Sequence, residues 1–169
     1  MKKQTFTIAA LLAAMPVAAQ ADDCPSSNVC ASRPDGVVAA LQSAGYKATL
    51  GKAADGTPKI SSAANGYNYN IYFYDCKAGV ECKSLQFKIW FSKEAHFNTE
   101  LTNKWNLAKR FLTMAFDPND QEISLSYDVS TVGGLNPAQF VDTISWWDAM
   151  LSEFDKFNDE NKPKSATGK

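Results

Sequence analysis

The chain has 169 residues, with 17 Lys+Arg, 18 Asp+Glu and a single His, a net charge of −1, 45% hydrophobic and 12% aromatic residues. That length fits one domain, and the apolar content excludes general disorder. Near-neutral charge argues against nucleic-acid binding by phosphate neutralisation and gives no electrostatic pull toward anionic membranes.

The chain opens on the basic Met1-Lys2-Lys3, followed by a charge-free run of apolar and small residues from Phe6 to Val17 and then Ala19-Gln20-Ala21. This is the plan of a secretory signal peptide, expected over 1–21. The run is too short to span a membrane, which takes roughly 20 apolar residues. Asp22-Asp23 before Cys24 do not suit a lipid-attachment site. Removing Lys2 and Lys3 takes the net charge from −1 to −3. The expected compartment is oxidising and exported, a bacterial periplasm.

All four cysteines, Cys24, Cys30, Cys76 and Cys82, fall after this leader, as two C-x5-C pairs. An even count in an exported chain reads as two disulfides, here paired locally. The second pair brackets an expected hairpin loop, Asp75 to Lys83, where the neighbouring strands bring two Cβ atoms within bridging range. Redox chemistry usually uses C-x-x-C at a helix start, and zinc sites use closer spacings; neither pair conforms.

Ser32-Arg33-Pro34-Asp35 reads as a helix start with Ser32 as cap. Val37, Val38, Leu41 and Ala44 continue it to Gly45, giving a helix over about 34–44. Strands are expected over 46–53 and 58–63, with Asp55-Gly56 turning between them. Asn65-Gly66 is a strong hairpin signal, and Tyr67 to Asp75, rich in aromatic and branched residues, is the next strand. Lys83 to Ser92 alternates, with Leu85, Phe87, Ile89 and Phe91 on one face. A second helix is expected over 99–116 with Asn98 as cap, its apolar stripe running from Leu101 through Trp105, Phe111 and Leu112 to Ala115. Glu122 to Ser130 alternates as a strand. Asn136-Pro137, with Gln139 three after the cap, opens the last helix, faced by Phe140, Ile144, Trp147, Leu151 and Phe154. The domain is expected over 22–158, and the polar stretch 159–169 as a disordered tail. The fold class is α+β: an antiparallel sheet, a meander of about four strands plus one or two more, with three helices.

Leu41–Leu50 (LQSAGYKATL), Tyr72–Phe87 (YFYDCKAGVECKSLQF), Asn103–Phe111 (NKWNLAKRF), Leu125–Gly134 (LSYDVSTVGG) and the Trp-rich last helix, in this order, resemble the YbjN-domain family of bacterial sensory transduction regulators. The resemblance covers nearly all of the chain after the leader. It implies a fold like that of type III secretion chaperones, and it carries no catalytic residues over. Cytoplasmic members of that family lack a leader, so a cytoplasmic regulatory role transfers poorly to an exported chain.

No constellation of catalytic residues is present. His96, the single imidazole, has neither a nucleophile motif beside it nor an H-x-x-x-H partner for a metal, and is expected at a loop or rim. Asp117, Asn119, Gln121 and Asp128 match part of a calcium-loop frame, but Glu122 occupies the glycine position; a turn followed by a strand is the better reading, with Asp128 facing out or capping the following turn. Asn103, Asn106 and Arg110 share an expected helix face, either as a recognition stripe or, preferably, as side chains tying the helix to neighbouring backbone. Tyr72, Tyr74 and Trp90 lie on the strand parity opposite Ile71, Phe73, Phe87 and Ile89. If helices cover only one sheet face, these three aromatics mark a partner surface on the other. The reading is a non-catalytic, exported module that binds an unknown protein or peptide, through the open face or by adding a strand to an edge, with homodimerisation as a companion. It calls for no cofactor or metal, no nucleic acid and no membrane span after leader removal. A small-ligand carrier with a pocket between sheet and helices is the alternative.

Overall fold

The computed structural model describes residues 24–163; the expected leader, 1–21, and the end of the tail, 164–169, lie outside them. Among the described residues there are three helices and six strands: α1 Pro34–Ser43, β1 Lys47–Lys52, β2 Pro58–Ala64, β3 Tyr67–Tyr74, β4 Ser84–Phe91, α2 Thr99–Ala108, β5 Thr113–Asp117, β6 Glu122–Ser130 and α3 Pro137–Asn161. The strands form one antiparallel sheet in the order β1-β2-β3-β4-β6-β5. This is the expected α+β architecture, with the meander β1–β4 intact.

Local chemistry accounts for most element ends. Asn65 and Gly66 both take positive φ, +48° and +80°, the pair of left-handed residues that a two-residue hairpin turn needs. Asn136 caps α3 through a reciprocal capping box with Gln139. At α1 the expectation fails in detail: Arg33 holds the cap position and no side chain caps the helix. Ser32 is displaced from that role because the arm before it is already committed elsewhere. Val29 and Leu135 exchange backbone hydrogen bonds of 2.8 and 3.0 Å, and the Ala31 N–H donates to Thr131 Oγ1. The arm passes so close to Gly134 that a Cβ there would sit 2.7 Å from Asn28 Cβ, and φ at Gly134 is +80°. Only glycine satisfies both constraints.

The disulfides pair as expected, Cys24 with Cys30 and Cys76 with Cys82. The first pins the arm, the second the β3–β4 loop.

The second helix ends earlier than its apolar stripe predicts. It stops at Ala108, and Thr113–Asp117 forms β5 instead of a last helical turn. The reversal is a γ-turn at Phe111: the Leu112 N–H donates to the Arg110 carbonyl at 2.9 Å, and φ at Phe111 is +69°. Trp105 Nε1–H bonds the Leu112 carbonyl at 2.9 Å and fixes the reversal against the helix. The sequence TMAFD also alternates, so Met114 and Phe116 pair with Leu125 and Ile123 on the core side of β6.

The core is one layer between the sheet and the helices. Strand alternation sends Ile60, Tyr69, Ile71, Phe73, Leu85, Phe87 and Leu125 toward the helices, all buried. Helix α3 lies across them. Trp147 packs against Tyr69 and Phe87, at ring-centre distances of 5.1 and 5.7 Å, and Phe154 against Phe91 at 4.3 Å. Trp105 of α2 meets Phe157 at 5.2 Å. Because Phe157 and Asn158 are buried in this packing, α3 continues to Asn161, and the first residues of the expected tail are helical.

The far end of α3 is tied to the β2–β3 turn through Asp155, which accepts from Tyr67 Oη and from Asn65 Nδ2. Burial first, and then the bond to Asp155, push the Tyr67 phenol up to about 12. A phenol raised in the folded state stabilises fully below its unfolded value near 10 and loses that contribution as pH climbs toward 12. Tyr67→Phe should therefore lower stability near neutral pH by about 1 kcal/mol and make the loss between pH 10 and pH 12 shallower, as read from urea midpoints on both sides of that window.

Candidate functional site

The alternation that fills the core leaves the other sheet face without a helix among the described residues. In register, Lys59, Tyr72, Gln86 and Asp128 cross β2, β3, β4 and β6 as one row, and Ser61, Asn70, Lys88, Ser126 and Thr113 as another. This face is polar apart from three aromatics. Tyr74 and Trp90 are 46% and 45% exposed, and Tyr72 is half-buried. Tyr72 and Trp90 meet edge to face at 5.9 Å. Lys88 Nζ lies 5.0 Å from the Trp90 ring, a cation–π contact that steadies the indole without covering it. Tyr74 Oη donates to Gln86 Oε1 at 3.4 Å, and Gln86 Nε2 to Asp128 Oδ1 at 2.9 Å. Asp128 thus faces out, and this chain of bonds fixes the rotamers of the face. Burial, then the Asp128 carboxylate, raises the Tyr74 phenol, which holds it neutral as a donor. The expected trio is on one face, and Lys88 joins it; the shared parity of Lys88 and Trp90 was the available signal.

The expected stripe Asn103, Asn106, Arg110 is not a single helix face. Arg110 lies past the end of α2, because the γ-turn at Phe111 replaces the next helical turn. Asn103 is exposed. Asn106 serves the structure, since its Nδ2 donates to the Met114 carbonyl and its Oδ1 accepts the Met114 N–H, both at 2.9 Å. The carboxamide stands where a further strand would pair, so it closes the β5 edge at its middle. The opposite edge, β1, is more open. The Ala53 N–H donates to the Thr57 carbonyl in the hairpin, and alternation then turns the backbone groups of Ala48, Leu50 and Lys52 outward. Of these, the Ala48 carbonyl accepts from Gln42 Nε2.

The remaining sequence candidates resolve as local structure. His96 Nε2 lies 2.8 Å from Asn158 Oδ1, and Nδ1 3.8 Å from a Glu94 oxygen; it links the segment before α2 to the end of α3. Asp117 Oδ1 accepts the Asn119 N–H in the turn between β5 and β6, and Asp128 sits far along β6. Their separation removes the calcium-loop frame. Between sheet and helices, where a small-ligand pocket was the alternative expectation, Phe87, Trp147 and Phe154 are buried. Two grooves lie outside that layer. One of 780 Å³ runs between the N-terminal arm, α1 and the start of α3. Another, of 480 Å³, lies beside Trp90 and is bordered by Asp117, Asp120 and Glu122. No described helix is long and apolar enough to cross a membrane.

Sequence reasoning missed one surface feature altogether. Phe111 stacks on Trp146 of α3 at 4.4 Å and 26°. Neither residue's neighbours in sequence reveal the contact.

Comparison with known proteins gives a family and a fold. The pattern of the YbjN family, described as "Putative bacterial sensory transduction regulator", matches residues 33–160. That span includes the whole sheet, α1, α2 and all but the last residue of α3, and begins after the Cys24–Cys30 arm. The crystal structure of YbjN from E. coli, described as "a putative transcription regulator", superposes with a TM-score of 0.50 at 14% identity, covering 78% of this chain and 90% of that one. No curated protein matches the sequence.

The two Asn side chains of α2 should separate cleanly on substitution. Asn106→Leu leaves the Met114 N–H and carbonyl without their partner and should destabilise by about 1–3 kcal/mol, with faster amide exchange at Met114. Asn103→Ala should stay within about 0.5 kcal/mol. Equal effects in denaturant titrations would refute the assignment of Asn106 as the edge clamp.

Proposed function

The chain belongs to the YbjN family, and from that premise we propose that it is an exported, non-catalytic regulatory module that binds a protein or peptide on the open sheet face. The observation that carries this reading is the exposed pair Tyr74 and Trp90, with Tyr72 of β3 edge to face against Trp90, on a face that no described helix covers. Tyr and Trp give a binding surface large contact area at small entropic cost, and both are enriched where partners dock. The Ser, Asn, Gln and Lys side chains around them form the polar rim such a surface needs. The family's description is that of a regulator and not of an enzyme.

Export rests on the leader read in 1–21 and on the two disulfides, which suit an oxidising compartment. In that compartment, most simply the periplasm, the partner meets a face kept in shape by the Tyr74–Gln86–Asp128 bonds. The groove beside Trp90 favours a second reading, in which a small polar ligand sits between the indole and the carboxylates of Asp117, Asp120 and Glu122. Native mass spectrometry of protein from its own host separates the two, since a retained small molecule belongs to the second alone.

Trp90→Ser should change unfolding free energy by no more than about 0.5 kcal/mol, as for a surface site. Phe87→Ala, on the core side of the same strand, should cost about 3–5 kcal/mol. The same Trp90 variant should lose most of its crosslinking to the partner in cell-envelope preparations. Unfolding of Trp90→Ser, or crosslinking that survives it unchanged, would count against the reading.

A further inference from the structure

The outer surface of α3 is not uniform. Its second half carries the charges expected of a solvated helix, among them Glu153, Lys156, Asp159 and Glu160. Its first half does not. The exposed positions from Ala138 to Ala149 include Val141, 48% exposed, Ser145 and Trp146, 41% exposed, with Asp142 as their one charge. Ser145 Oγ donates to the Val141 carbonyl at 2.8 Å, so its hydroxyl is turned back onto the helix. The small side chains Ala138, Ser145 and Ala149 permit a second helix to approach at the near end of the usual 8–10 Å range.

Beside this strip stands the strained γ-turn. A γ-turn with positive φ is rare, and a bulky residue in it is costly. Phe111 is held there by its stack on Trp146 and by an edge contact with Tyr127 at 6.1 Å. The Arg110 guanidinium lies 5.0 Å from the Phe111 ring. Neither Arg110 nor Asp142 joins an ion pair among the described residues. Asp142 is one helical turn from Trp146, on the same side of α3. The result is an aromatic pair near an unpaired cation, Arg110, and an unpaired anion, Asp142, on a strip whose one other charge is the half-buried Asp148 at its flank.

We infer that two copies of this chain associate about a two-fold axis through the outer face of the first half of α3, each copy's Arg110 meeting the other's Asp142. A two-fold contact matches a surface to itself, so one cation and one anion per copy pair twice. A second copy supplies an anion for Arg110 and a cation for Asp142 at once, in positions related by the axis. Charge depletion with Trp, Phe and Arg at the centre is the composition of an interface core. This contact faces away from the open sheet surface and leaves it free, so it stands independently of the proposed partner there.

Sedimentation velocity on the disulfide-intact protein tests this. A concentration-dependent dimer is expected. Arg110→Glu, Asp142→Arg and Trp146→Ser should each weaken it about tenfold or more, a change of about 1.4 kcal/mol per tenfold step, with melting temperatures showing that each variant folds. An equimolar mixture of Arg110→Glu with Asp142→Arg should recover a dimer that neither forms alone, because each new charge then meets its opposite across the axis. Monomer at every concentration overturns the inference. So does a dimer that all three variants leave unchanged, or that Trp90→Ser alone removes, since it then uses the sheet face.

Discussion

The structure depends on one aromatic seam. Trp147 and Phe154 of α3 lie against Tyr69, Phe87 and Phe91 of the sheet, and Trp105 of α2 closes the seam through Phe157. Large rings carry most of the burial in such a layer. The seam also fixes the asymmetry of the molecule. Three helices lie on one side of a six-stranded sheet, so residues one step along each strand must face the other way. The open face is therefore a consequence of the packing rather than an addition to it. Serine, asparagine, glutamine and lysine are what such a face requires. Tyr74 and Trp90 are not, which is why they carry the functional reading.

The two sheet edges are treated differently. At β5 the Asn106 carboxamide imitates the missing strand at Met114. At β1 one carbonyl is tied to Gln42, while Lys47 and Lys52 flank the edge, a common defence against unwanted strand addition. The disulfides act at the margins of the seam: one holds the arm that packs under Gly134, the other the loop joining β3 to β4. The arm, held by the first disulfide, lies before the part that matches the YbjN family.

Where short-range chemistry decides, the sequence was readable. The Asn65-Gly66 turn, the capping box at Asn136 and Gln139, the strand Glu122–Ser130 and the parity of β3 and β4 all follow from neighbours in the chain. The pairing of Cys76 with Cys82 followed from the same hairpin geometry. Where distant residues decide, it was not. Phe111, Leu112 and Ala115 keep helical spacing, while Met114 and Phe116 keep strand spacing, and periodicity alone cannot choose between them. The choice is made by the Trp105 indole on the Leu112 carbonyl and by Asn106 on Met114. That same reversal removed Arg110 from the helix face it was expected to share with Asn103 and Asn106, and set Phe111 against Trp146. Helix α3 outlasts its apolar pattern for a similar reason, since His96 and α2 bury its end.

The molecule thus offers two surfaces with different characters: a polar sheet face with a fixed aromatic cluster, and a charge-poor helix strip beside a strained turn. The central claim is that the sheet face meets the partner. Site-specific photocrosslinking in cells of the natural host tests it most directly, with the photoreactive residue placed at Tyr74 on the sheet face and, as reference, at Lys156 on the solvated half of α3. A discrete adduct with another protein is expected from the Tyr74 position and none from Lys156. An adduct from Lys156 with none from Tyr74 would contradict it.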